Sequence, residues 1–146
     1  MTADEIIAKL SLEPHPEGGW YRQTWVAETP AAAVDTRPAG TAIFFLLKGG
    51  EASHWHRVDA AEIWHYYAGA PLILSRAETE AGPARDDVLG PDLAAGERPQ
   101  LIVETGHWQA ARSMGDWTLV GCTVSPGFRF EGFELAAPEF DIPRQS

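Results

Sequence analysis

Cysteine is almost absent from this chain. Cys122 is the only one among 146 residues, so no internal disulfide can form. Cations are scarce too, with 11 Lys and Arg against 21 Asp and Glu, for a formal net charge of −10. A surface of that sign repels phosphate backbones and anionic lipid, so neither nucleic acid nor a membrane is an expected partner. Long apolar runs are missing. The longest, AIFFLL at Ala42–Leu47, is far too short to span a bilayer. The opening MTADEIIAKL has no basic n-region and no apolar h-region, so no signal peptide is expected and the expected location is the cytoplasm. No GxGxxG, P-loop, CxxC or GxSxG occurs, which removes the commonest signatures of dinucleotide, phosphate, thiol-redox and serine-hydrolase chemistry.

What the chain has is turns and short strands. Fourteen glycines and 11 prolines favour turns over long helices. One helix is predicted, at the N-terminus. Thr2 and Glu5 fit a capping box, and Ile6, Ile7 and Leu10 make an apolar stripe. EPHPEGG then ends it with two prolines and two glycines. Strands follow: WYRQTWV, TAIFFLL, SHWHRV, EIWHYYA, PLILSRAE, DDVLG, PQLIVE, GHWQAARS, WTLVGCTVS and FRFEGFELA. TPAAAVDTRPAG reads as a loop, and a turn near Asp59 joins SHWHRV to EIWHYYA. Short strands at this density predict an all-β sandwich or barrel. One domain is expected over residues 1–146, with its core at about 14–136.

The chemistry concentrates in Gly49–Gly69, GGEASHWHRVDAAEIWHYYAG when written from its first glycine. Strand alternation puts His54 and His56 on one face and Trp55 on the other. Glu62, Trp64 and Tyr66 share a face of the next strand, and His65 takes the opposite one. With His56 and Glu62 inward, a His/His/Glu cluster forms, which suits Zn, Mn, Fe or Ni. Further along, Gln109 follows the turn at Gly106 and shares a face with His107. Glutamine is a poor ligand for transition metals and a good donor and acceptor for a polar substrate. Tyr21, Trp64 and Tyr66 are candidates for an aromatic barrel mouth, the usual form of a small-molecule site. Ser53 beside His54 is a further polar contact, but no acid in sequence orients it as a nucleophile. Cys122, inside the apolar TLVGCTV, reads as an inert buried thiol.

The run Gly49-x4-His54-x-His56-x5-Glu62-x6-Gly69 resembles the first motif of the cupin superfamily, with the spacing off by one residue on either side of His-x-His. ETGHWQ, Glu104–Gln109, resembles the second, with Gln109 where that motif carries histidine. PHPEGGWYRQT, SHWHRVDAAEIWHYYAGAPL, LGPDLAAGERPQLIV, GHWQAAR and WTLVGCTVSPGFRFEGFEL are similar to one branch, the cupins of domain of unknown function 985, over nearly the whole chain. The resemblance implies an all-β cupin jelly-roll β-barrel with a short N-terminal helix, a pocket inside the barrel, and a homodimer. The fold is also similar to that of sugar-nucleotide epimerases, which use no metal.

By position, the resemblance implies His54, His56, Glu62 and Gln109 as a conditional site for one divalent transition metal. Without metal, the expectation is acid–base catalysis by His56, Glu62 and Tyr66, with Tyr21, Ser53, Trp64 and Gln109 contacting a small polar, carbohydrate-like molecule. An isomerase- or epimerase-like enzyme and a metal-dependent cupin enzyme both remain open. So does a non-catalytic module that binds or senses a metabolite.

Overall fold

The computed structural model describes residues 1–30 and 32–144. Position 31, within the expected loop at 29–40, and positions 145 and 146 lie outside the described residues. Helix α1 spans Ala3–Leu10. Thr2 caps it by accepting the Glu5 amide at 3.2 Å, as the sequence predicts. Ile6 is buried against Leu12 and Leu46, which fastens the helix to the sheet behind it.

Eleven strands follow: β1 Glu13–Pro14, β2 Trp20–Val26, β3 Thr41–Lys48, β4 Ala52–Val58, β5 Ala61–Gly69, β6 Leu72–Ala77, β7 Arg85–Leu89, β8 Gln100–Val103, β9 Trp108–Ser113, β10 Trp117–Ser125 and β11 Phe133–Leu135. They form two antiparallel sheets, ordered β1-β2-β3-β10-β5-β8 and β11-β4-β9-β6-β7. The sheets face each other as a jelly roll, the predicted all-β class. Among the described residues no helix is long and apolar enough to cross a membrane.

The interior divides lengthwise. Phe45, Leu47, Trp64, Leu72, Leu74, Leu101 and Val120 fill one end. Phe45 meets Trp64 edge to face at 5.8 Å and closes that core. Past them the inward positions turn polar: Thr41 on β3, Glu62 on β5, Gln109 on β9 and His56 on β4 are all buried. The strand expected over FRFEGFELA is shorter than predicted. Phe130–Gly132 is a 3-10 turn, and only Phe133–Leu135 pairs, with β4. Gly132 packs against Asp59, and the turn swings Phe128, Phe130 and Phe133 together over the barrel end.

Two features aim side chains into this end. In β4, Ser53 pairs with Ala111 and His56 with Gln109, so two residues of β4 stand opposite one of β9. This bulge shifts the alternation by one and turns both Ser53 and His56 inward. The loop Pro14–Gly19 is tied down beside it. The His54 amide donates to the Glu17 carbonyl at 2.8 Å. Gly18 has φ +106°, and a Cβ there would lie 2.1 Å from the Ala52 carbonyl oxygen. Only glycine allows that approach. Gly18→Ala should therefore destabilise the fold by about 1–3 kcal/mol and lower its thermal midpoint. An unchanged midpoint would mean the loop does not depend on this contact.

Candidate functional site

The polar end of the barrel encloses a cavity of about 120 Å³. His15 and Glu17 reach it from the Pro14–Gly19 loop, His56 from β4 and Glu62 from β5. Tyr21 lines it from β2, and Phe128, Phe130 and Phe133 form an aromatic wall.

Glu17 stands among the other groups. Its Oε2 accepts from the Ser53 hydroxyl and lies 3.6 Å from His56 Nε2. Its Oε1 lies 3.3 Å from His15 Nδ1. The His56 tautomer follows from its other nitrogen. Nδ1 sits 2.7 Å from the His54 carbonyl, which can only accept, so Nδ1 carries the proton. Nε2 of the neutral ring then presents a lone pair to the cavity. His15 Nδ1 accepts the Glu17 amide at 3.1 Å. Its ring meets Tyr21 edge-on at 4.5 Å.

Behind Glu62, Trp64 fixes Gln109, and neither of these expected substrate contacts, nor Ser53, lines the cavity itself. The indole can only donate, and its Nε1–H reaches Gln109 Oε1 at 2.8 Å. The Gln109 amide nitrogen therefore donates to Glu62 Oε1, at 2.9 Å. Cys122 lines the cavity together with Glu62.

Burial governs the charges. It pushes the Glu17 carboxyl up to about 8, partly offset by the Ser53 hydrogen bond. It pushes Glu62 up to about 7, with the nearby His56 acting against it. Burial lowers His15 to about 4 and lowers His56 as well. Near neutral pH the site holds a protonated Glu17 and a partly protonated Glu62 beside neutral imidazoles, a set suited to giving and taking protons.

Several expected positions fall elsewhere. His54 does not share a face with His56, because the bulge separates them. Its Nε2 lies 2.7 Å from the Ala137 carbonyl, on the outer side of the sheet. Tyr66 lies about 13 Å along β5 from Glu62, at ~3.3 Å per residue. Its hydroxyl donates to the Gly69 carbonyl at 2.6 Å, and it packs against the core rather than lining the cavity. Trp64 holds Gln109 in place, and Ser53 meets Glu17. His65 faces the other side, as predicted, with Nε2 3.2 Å from Thr123 Oγ1. His107 lines an open groove of about 750 Å³ on the outside, where Arg76 and Arg144 are already paired with Asp87 and Asp86.

The expected metal ligands do not fit a metal. His54 is outside, and the Gln109 oxygen is taken by Trp64. Among the described residues no three His, Cys, Asp or Glu side chains are arranged to hold an ion. His15 and Glu17 were not expected at the site. The signal available for them was a His-x-Glu pair inside PHPEGG, a stretch that also reads as a helix stop.

Residues 4–136 match the profile of the cupin superfamily described as DUF985. The chain belongs to this cupin family. A crystal structure of a Shewanella oneidensis protein is similar at 44% identity and a TM-score of 0.86, covering 94% of this cupin and 85% of that chain. A hypothetical protein from Leishmania major is similar at 30% identity and a TM-score of 0.83, covering 94% and 88%. Oxalate decarboxylase from Bacillus subtilis, at 16% identity and a TM-score of 0.63, shares the fold over 84% of this cupin and 29% of its own chain. No curated protein matches the sequence.

The raised and lowered groups set opposite pH dependences. Glu17 in the folded chain keeps a proton that the unfolded chain loses near pH 4.5. The stability this provides is fully present below about pH 4.5 and is lost as pH rises through about 8. His15 runs the other way: its contribution is present above about pH 6.5 and is lost as pH falls through about 4. Glu17→Gln mimics the protonated acid at every pH. Its melting temperature relative to wild type should rise by roughly 5–10 °C between about pH 5 and about pH 9. A constant difference would place Glu17 in the ordinary carboxylate range.

Proposed function

We propose that this cupin is an enzyme that moves protons on a small polar molecule held in the barrel, without a metal. The observation that carries the reading is His56 Nε2 facing Glu17 Oε2 across 3.6 Å inside the cavity, where burial pushes the Glu17 carboxyl up to about 8. His56 is the general base. Its Nδ1–H bond to the His54 carbonyl fixes the ring and stabilises the imidazolium that forms. Glu17 is the general acid. On a hydroxycarbonyl or aminocarbonyl compound, His56 would take the proton from the carbon beside the carbonyl. Glu17 would give its proton to the carbonyl oxygen, leaving an enol. An enol hydroxyl then gives its proton back to Glu17 as the carbonyl reforms. Either His56 returns its proton to one of the two carbons, or solvent protonates the other face while His56 releases its proton to solvent, completing an isomerisation or epimerisation. Glu62, held by Gln109 and Trp64, positions His56 and the substrate.

The cavity limits size. At about 120 Å³ it lies well below the roughly 300–1,000 Å³ of pockets that take drug-sized molecules. That fits a substrate of a few carbons and not a sugar nucleotide.

Solvent-deuterium incorporation tests the proposal. Untagged protein is incubated in D₂O with hydroxyaldehydes, hydroxyketones and α-aminoketones of about three or four carbons, and carbon-bound deuterium is followed by NMR. At least one compound should exchange. His56→Ala should slow that exchange ~100-fold or more, and His54→Ala should leave it within about twofold. A compound that binds yet never exchanges favours the non-catalytic binding module. Loss of exchange in His54→Ala would restore the metal reading.

A further inference from the structure

The cavity has a chemical character beyond its capacity for proton transfer. Its charged-type lining groups are all acids or imidazoles: Glu62, His15 and His56 are buried, and the Glu17 side chain is 10% exposed. No Lys or Arg lines it. Arg129, between Phe128 and Phe130 in sequence, is paired with Asp59, and so is Arg37. A phosphate or carboxylate ligand would find no cation to neutralise it, and burying such an anion beside two carboxyl groups is costly.

Part of the lining is aromatic. Phe128 packs against Phe130 at 5.0 Å and against Phe133 at 5.9 Å, and Phe133 also meets the His56 ring at 5.3 Å. Ring faces attract cations, more strongly where water is excluded. A ligand carrying a hydroxyl on every carbon would leave most of its groups against these rings unpaired.

One further atom points to an occupant. His56 lines the cavity, and its Nε2 lies 3.6 Å from Glu17 Oε2, too far for a direct hydrogen bond. A ligand N–H donor would satisfy it.

We infer that the cavity is built for a small organic cation, with an ammonium-type head between Glu17 and Glu62 and a short apolar body against Phe128, Phe130 and Phe133. A positive charge there opposes the effect of burial on the carboxyl groups. Glu62, the less strongly shifted, gives up its proton to pair with the cation, and Glu17 keeps its own. His15, Tyr21, His56 and Cys122 are the other titratable groups lining the cavity with these two acids. The inference deepens the proposed function, since it names the substrate class of the same site, but it stands on binding alone.

Binding therefore tests it, independently of turnover. Propylammonium, 1-propanol and propanoate share a chain length and differ in charge. Titration calorimetry on the full chain near neutral pH should give propylammonium at least tenfold tighter binding than 1-propanol, and no detectable propanoate binding. Glu62→Gln should erase the preference for the cation while 1-propanol still binds. Propanol or propanoate binding as tightly as propylammonium overturns the inference, and so does failure of propylammonium to bind at millimolar concentration. Either result leaves deuterium exchange on neutral hydroxyketones unaffected, so the two readings fail separately.

Discussion

The site depends on one short contact, the hydrogen bond from the His54 amide to the Glu17 carbonyl. It occupies the extra residue of the β4 bulge, whose amide the regular ladder would otherwise engage. The same contact pins the Pro14–Gly19 loop against β4 and delivers Glu17 to the barrel interior. With the loop in place, Ser53 and His56 both point inward and both meet Glu17. Without the bulge, Ser53 and His56 would lie on opposite faces, and His54 would share a face with His56 as strict alternation requires.

Around that contact the site is organised by burial rather than by paired charge. Two acids and two imidazoles share the cavity, and each is shifted toward its neutral form. The neutral forms are the ones that carry out proton transfer near neutral pH. Protein groups fix the orientations that matter: the His54 carbonyl sets the His56 tautomer, and the Trp64 indole sets the Gln109 amide. The packed end of the barrel, closed by Phe45 and Trp64, supports this arrangement and keeps the cavity small.

Most of the fold was legible in the sequence. WTLVGCTVS reads as a strand and is β10 over the same residues, Trp117–Ser125, because nothing in it interrupts the extended pattern. FRFEGFELA misleads, because aromatic content suggests a strand where a 3-10 turn brings three phenylalanines together. The site was half legible. His56, Glu62 and Gln109 were singled out by motif spacing; all three are buried at the polar end, where His56 and Glu62 line the cavity and Gln109 stands behind Glu62. His54 was misplaced because alternation holds only in an unbroken ladder, and the one-residue departures from the cupin spacing flank the bulge itself. Tyr66 was misplaced because sharing a face says nothing of distance along a strand. His15 and Glu17 were missed because turn residues carry no periodicity, and only the fold shows what PHPEGG touches.

The central claim is that the two carboxyl groups of the barrel are held protonated by burial. Carbon-13 NMR of the protein labelled at the glutamate side-chain carboxyl carbons reads it directly, with Glu17→Gln and Glu62→Gln assigning the two signals. The account predicts midpoints of about 8 for Glu17 and about 7 for Glu62. Both groups titrating in the ordinary carboxylate range near pH 4.5 would contradict it.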